Sequence, residues 1–133
     1  MMKTVVAGTR TATWESTIAA IRASGVESKI TEVVSGRAKG ADTWGEVWAV
    51  TEKKQIKAFP ADWDRYGNQA GIVRNEQMAE YGDILIAVWD GNSSGTKHMI
   101  QTMLNKGKQV FVYVYGDQDK PVKFEWVYGN QKF

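Results

Sequence analysis

The sequence contains no cysteine and a single histidine. The first absence excludes disulfides, thiolate metal sites and a cysteine nucleophile, and the second excludes a metal site built from clustered histidines. A reducing, cytoplasmic setting and no bound metal are the expectations that follow. Charge of one sign is also scarce: 17 Lys and Arg stand against 15 Asp and Glu, a formal net charge of +2. Sequence-independent binding to duplex DNA relies on clustered cations that displace counterions from phosphates, so duplex DNA is not an expected partner. No apolar run approaches the length of a membrane span, and Met1-Met2-Lys3-Thr4 leads into a short apolar stretch without a signal pattern. The expectation is a soluble, unprocessed protein with no membrane partner. Two phosphate-binding signatures are missing as well. There is no Gly-x-Gly-x-x-Gly after the first apolar run and no Gly-Lys-Ser/Thr ending to the second glycine loop, so a standard dehydrogenase or ATPase is not expected.

What is present fits one ordinary domain over residues 1–133, with 43% hydrophobic and 24% charged residues. Short β-rich apolar runs alternate with helix-period segments up to about residue 115, the pattern of βα units on a parallel sheet. The first strand is read at Thr4 to Gly8. A helix follows, with Thr13 as N-cap, Trp14, Ile18 and Ile21 on one face and Gly25 as its stop. A second strand from Ile30 to Ser35 gives way to a stripe of Trp44, Val47, Trp48 and Thr51. The third strand spans Gln55 to Phe59 and is closed by Pro60. A polar and aromatic connection, long enough to be functional, crosses Asp62 to Asn68. A helix over Ala70 to Tyr81 leads to Ile84 to Trp89, a continuous apolar run that predicts a central strand covered on both faces. Met99, Ile100, Met103 and Leu104 mark the next helix, and a strand over Val110 to Tyr115 follows Gly107. In the tail, Val122, Phe124, Trp126 and Tyr128 alternate with polar residues, as in an added antiparallel edge strand. The expected fold class is α/β, with a mainly parallel sheet of about five strands in a core over about 3–115 and an extra strand in the extension 116–133.

In a parallel sheet the loops after the strands converge at one edge. Three such loops here are polar and glycine-bearing. The first is Gly8-Thr9-Arg10. The second runs Ser35-Gly36-Arg37-Ala38-Lys39-Gly40-Ala41-Asp42, and the third runs from Trp89 and Asp90 through Gly91, Ser93, Ser94, Gly95 and Thr96. Glycines there allow tight turns and close backbone approach, and the helix starts at Ala41 and near Gly95 attract anions. With Arg10, Arg37 and Lys39 close by, the edge suits a phosphorylated ligand. A single glycine loop is explained as a strand terminator; three that converge favour a ligand. Arg74, Asn75 and Met78 add a cation, an amide and a soft apolar group to one helix surface. Trp63, Tyr66 and Trp89 flank the loops as candidate stacking partners for a base, whereas Trp44 and Trp48 are assigned to packing. His98 has no partner at a catalytic spacing and is read as surface or supporting.

Read in order, these segments resemble the SLOG superfamily of domains related to the Lonely Guy (LOG) proteins, and most closely its YspA-like branch. The matching pieces are Val6 to Arg10, Val34 to Asp42, Phe59 to Trp63, Gly71 to Ala79, and Trp89 to Thr96. The resemblance implies a Rossmann-like three-layer sandwich that binds a nucleotide or a nucleotide-derived ligand, including NAD- or ADP-ribose-derived ones, with no required cofactor. Lonely Guy enzymes hydrolyse the bond between base and ribose of nucleoside monophosphates, using the last residue of Pro-Gly-Gly-x-Gly-Thr-x-x-Glu. Laid on Gly95-Thr96-Lys97-His98-Met99, that glutamate falls at Met99, and the enzymes' Arg-Lys pair falls at Arg74-Asn75. A thioether can neither accept a proton nor stabilise an oxocarbenium-like centre. A sensing or sequestering module is therefore the expected function, with a LOG-like nucleotide N-glycosidase (phosphoribohydrolase) as the alternative and a structural interaction domain third. A short domain without a fused effector is expected to remove a signal or pass it to a partner. Asp42, Asp62, Asp64 and Asp90 are the candidate replacement carboxylates. Asp62 and Asp90 are also assigned to a ribose hydroxyl, and Asp62 to a salt bridge with Arg74 or Arg37. The resemblance further implies a homo-oligomer, for which Met99, Ile100 and Met103 line either a helix-to-helix interface or the sheet.

Overall fold

The computed structural model describes residues 2–129; Met1 and residues 130–133, the end of the expected extension, lie outside the described residues. The elements in chain order are β1 (Met2–Gly8), α1 (Trp14–Ala23), β2 (Ile30–Ser35), α2 (Ala41–Thr51), β3 (Gln55–Ala58), the short α3 (Trp63–Tyr66), α4 (Ala70–Tyr81), β4 (Ile84–Trp89), α5 (Ser94–Asn105), β5 (Gln109–Tyr115) and β6 (Pro121–Val127). Local chemistry accounts for several boundaries. Thr13 accepts the N–H of Ser16 at 3.1 Å while the Ser16 hydroxyl accepts the N–H of Thr13 at 3.0 Å, a reciprocal cap that starts α1. The chain leaves α1 through Gly25 at φ 76°, where an L side chain would be strained.

The strands form one sheet in the order β3-β2-β1-β4-β5-β6. β1 to β5 are parallel, and β6 runs antiparallel to β5 with Phe111 opposite Trp126. Because β1 lies between β2 and β4, the winding reverses there, and a crevice opens beyond the C-terminal ends of β1 and β4. Alternation along the strands separates two cores. Val5, Ala7, Leu85, Ala87, Val110 and Val112 face α4 and α5, which contribute Met78, Met99, Ile100, Met103 and Leu104. Val6, Ile86, Val88, Phe111 and Tyr113 face α1 and α2, which contribute Ala20, Ile21, Trp48 and Ala49. Every residue of β4 is buried, as its unbroken apolar run requires. The fold is an α/β, Rossmann-like three-layer sandwich with five parallel strands and one added antiparallel strand.

Two expectations are corrected, and an alternative left open is decided. The stripe on α2 is not Trp44, Val47, Trp48 and Thr51: Trp48 is buried, but the buried face is completed by Ala41, Gly45 and Ala49, while Val47 and Thr51 are exposed. The cause is close approach to β1, since a Cβ on Gly45 would lie 2.8 Å from Cβ of Val6, so small residues must face the sheet. Met99, Ile100 and Met103 cover the sheet and are buried, which removes them as an interface between copies. The connection after β3 is not a plain loop, because α3 and a 3-10 turn over Gly67–Gln69 shape it.

Candidate functional site

The crevice is assembled by backbone before any charged side chain enters it. Thr9 is buried and fastens three loops together. Its carbonyl accepts from Ala12 N at 3.1 Å and from Ala41 N at 3.4 Å, and its hydroxyl accepts from Asp90 N at 3.0 Å. Such close backbone packing leaves no space for side chains at two positions. A Cβ on Gly8 would lie 2.0 Å from the Val88 carbonyl oxygen, and one on Gly40, held at φ 81°, would lie 2.3 Å from the Thr9 carbonyl oxygen.

Inside this frame Asp42 and Arg74 lie on either side of Gly36. A Cβ there would sit 2.7 Å from Nη1 of Arg74 and 2.8 Å from Oδ2 of Asp42. Oδ2 of Asp42 accepts from the backbone N–H groups of Gly36 at 3.1 Å and Ala38 at 3.4 Å. Burial pushes the Asp42 carboxyl up to about 6, outweighing the Arg74 guanidinium and the N–H groups of Ala38, Gly36 and Gly8, which pull it down. Arg74 donates through Nη1 to the Gly36 carbonyl at 2.5 Å and through Nε to Oδ1 of Asn75 at 3.1 Å. Its remaining donors have no protein partner among the described residues.

Two adjoining cavities share Arg10, Ala38 and Arg74. The outer one, about 330 Å3, is cationic, with Arg37, Lys39 and the half-exposed Trp63 at its rim. The inner one, about 140 Å3, reaches Gly8, Asp42, Asn75 and Met78 on one side and Ser93, Gly95, Thr96 and Met99 on the other. A larger open groove of about 840 Å3 lies beside α4, bordered by Lys3, Lys57, Phe59 and Tyr81. Volume alone does not choose between them. Polar groups from three loops converge on the sheet edge, which makes it the candidate site.

The chain is 34% identical over 92 residues to a protein of Mycobacterium phage D29 described as Gene 61 protein, across 65% of this chain and 72% of the phage protein. It belongs to the Gene 61 protein family. No family model matches the chain, and no solved structure matches it.

In this member of the Gene 61 family the expected site residues divide into two groups. Gly8, Arg10, Gly36, Arg37, Lys39, Asp42, Trp63, Arg74, Asn75, Met78, Ser93, Gly95 and Thr96 border the two cavities. The others lie behind the walls or in adjacent loops. Ser35 donates its hydroxyl to Glu46 at 2.6 Å and accepts from Arg37 N at 3.2 Å. Gly40 and Ala41 begin α2, but the Ala41 N–H is bonded to the Thr9 carbonyl and the Asp42 carboxyl sits in the first turn. The starts of α2, through Asp42, and of α5, through Ser93, Gly95 and Thr96, both border the inner cavity, with the Ala41 N–H taken by Thr9 and the Thr96 N–H by the Ser93 hydroxyl. Arg37, at φ 62°, is drawn to Glu46 with Nε at 3.0 Å from the carboxylate. Asp62 is exposed and caps α3 by accepting from Arg65 N at 3.1 Å, so its expected bridge to Arg74 or Arg37 is not formed.

Trp89 is corrected as well, and Asp90 is engaged within its own loop. Oδ1 of Asp90 accepts from the N–H groups of Asn92 and Ser93, both at 2.8 Å, closing a turn around Gly91 ahead of Ser94. Partial burial pushes this carboxyl up, but those N–H groups and the Thr9 hydroxyl outweigh it and hold it below the usual carboxylate range. Trp89 is buried in the core on the α5 side and donates Nε1–H to the Ser93 carbonyl at 3.0 Å, so its ring is not presented for stacking. His98 proves more connected than its spacing indicates: Nδ1 lies 3.1 Å from Nδ2 of Asn75, joining α5 to α4. No local pattern signals a pair 23 residues apart. Among the described residues no group of three or more His, Cys, Asp or Glu side chains is placed to hold a metal ion, and no helix is long and apolar enough to cross a membrane.

Proposed function

We propose that this chain binds a phosphorylated nucleotide or nucleotide-derived ligand at the C-terminal edge of its sheet, as the SLOG resemblance implies, and acts as a sensing or sequestering module. The observation that carries this reading is Arg74. Its guanidinium is held by Gly36 and Asn75, yet it keeps unmatched donors facing both cavities. A planar guanidinium fixed in this way suits a phosphate or a ribose oxygen. Arg10 and Lys39 add positive charge to the outer cavity, and the start of α5 adds backbone donors to the inner one. The similarity to a phage protein fits a module that removes a host nucleotide signal in the cytoplasm. Calorimetric titration with nucleoside monophosphates, NAD, ADP-ribose and cyclic ADP-ribose isomers tests the reading. Saturable binding of at least one is expected, and silence across that panel would overturn it.

One observation supports nucleotide N-glycosidase activity as a second reading. Asp42 borders the same cavity as Met99 and is held near 6, within the range of a general acid or base. Incubation of stoichiometric protein with the bound nucleotide separates the two readings: recovery of intact nucleotide after heat release supports the binder, and multiple-turnover release of free base supports the enzyme. Self-association belongs to the first reading. Because Met99, Ile100 and Met103 are taken up by the sheet, it would rest on exposed apolar residues such as Val47 and Val50 of α2. Light scattering that finds only monomer at high micromolar concentration removes it.

A further inference from the structure

We propose that His98 is a positioning residue: as the Nε2-protonated tautomer it accepts the Asn75 amide and thereby aims Arg74 into the cavities at the sheet edge. The inference rests on the reading of Arg74 as a ligand contact. Donor logic sets the direction of every link. Nε of arginine only donates, so the Asn75 oxygen must face it, at 3.1 Å. That leaves the Asn75 Nδ2 hydrogens for His98, and Nδ1 of His98 must therefore be the acceptor, at 3.1 Å. The ring proton then sits on Nε2, which faces the Thr102 hydroxyl at 3.4 Å, while that hydroxyl donates to the His98 carbonyl at 2.7 Å. Each group in the chain from Thr102 to Arg74 is used in one consistent sense. Asn75 and Thr102 are both buried, so water does not readily replace a lost partner.

A second proton on the ring would reverse the contact. Nδ1 would become a donor facing a donor, and relief by turning the amide would present Nδ2 to Nε of Arg74, donor against donor again. The arginine would then keep only its bond to Gly36. Ionisable groups on the elements packed against α5 are Arg74, Glu76, Glu80 and Tyr81 of α4, Lys3 of β1, and Tyr113 and Tyr115 on the opposite face of β5; α5 itself carries Lys97 and Lys106. Glu76 and Glu80 are paired with Lys106, and Asp42 shares the inner cavity with Arg74 and Asn75. Arg74 is the one coupled to the imidazole through the amide.

The test uses the full chain, His98→Asn, which keeps an acceptor near the position of Nδ1, and His98→Leu, which has no acceptor. Because the chain has 1 histidine, nitrogen NMR reads its tautomer directly. The Nε2-protonated form is expected near neutral pH, and the Nδ1-protonated form would overturn the proposal. With ADP-ribose as the probe, His98→Asn is expected to bind within about twofold of the parent, and His98→Leu about fivefold more weakly, near pH 7.5. Full affinity in His98→Leu would overturn the proposal. If ADP-ribose binds none of the three, the functional reading loses that ligand, and exchange of the Arg74 Nε–H still decides the positioning role. Protection in the parent and in His98→Asn but not in His98→Leu is expected, and equal exchange in all three would overturn it.

Discussion

Two of the cations attached to α4 make a useful contrast. Lys108 reaches the C-terminal end of the helix and donates from Nζ to the carbonyls of Ala79 at 2.6 Å, Glu80 at 3.0 Å and Gly82 at 2.6 Å. An ammonium has as many donors as there are carbonyls here, so its hydrogen-bonding capacity is filled while its charge meets the negative end of the helix dipole. Arg74, toward the other end of the same helix, bonds among the described residues only to Gly36 and Asn75 and keeps donors over. Both groups are cationic and both are partly buried. The one with every donor met stabilises the fold, and the one with donors left over is where the proposed ligand contact is placed.

The largest expected effect comes from the frame that holds Arg74. Gly8→Ala places a methyl 2.0 Å from the Val88 oxygen and is expected to cost about 3 kcal/mol or more. Gly95→Ala meets nothing within 4 Å; it should keep or raise stability by up to about 1 kcal/mol while narrowing the inner cavity and weakening ligand binding. Urea unfolding compares the two, and equal stability would show that the loops relax more easily than their contacts imply.

Asp42 gives an effect of similar size that is read through pH. Its carboxyl is at about 6 in the folded chain against 3.8 for an unperturbed aspartate. A raised carboxyl means that the folded state holds the extra proton between those values, so its contribution to stability falls as pH rises from about 4 to about 6 and then levels off. The linked change is on the order of 3 kcal/mol. Asp42→Asn retains an oxygen acceptor for Gly36 and Ala38 and should flatten this step. The difference between parent and variant in urea midpoint, near pH 4.5 and again near pH 7, measures it; no difference would mean that water reaches the carboxyl.

The contrast between the two cations is tested directly by a crossed pair of substitutions. Lys108→Met should lower stability by about 2 kcal/mol and leave ligand affinity unchanged. Arg74→Ala should weaken binding by roughly tenfold or more, through loss of a charge-assisted hydrogen bond worth about 1.5–3 kcal/mol, with circular dichroism still reporting a folded chain. If Arg74→Ala binds as tightly as the parent, the guanidinium does not face the ligand. The smallest change is expected from Met99→Glu, which places a carboxyl where the resemblance puts the enzymes' glutamate. No base release from bound nucleotide is expected, because Asn75 stands where those enzymes have lysine. Release in this variant would move the reading from binder to disabled enzyme.

The order of elements was legible from residue chemistry alone. Apolar runs with period two, helical stripes, the Thr13 cap and the glycine-rich strand ends are local signals, and each acts within a few residues of where it is read. The unbroken apolar run of β4 even indicated a strand covered on both faces, and the glycines marked where the backbone must turn or approach closely. Contacts between distant segments could not be read in this way. Whether Asp62 and Asp90 turn to a ligand or to their own loops depended on which N–H groups the turns left unpaired. The inward packing of Trp89 and the small-residue face of α2 depended on the distance between layers. The link from His98 to Asn75 and the Lys108 cap on α4 join residues more than twenty positions apart, which only the docking of α4, α5 and β5 brings within hydrogen-bonding distance. Periodicity along the chain specifies which face of an element is apolar, but the partner of a polar group is set by whatever the packed layers place next to it.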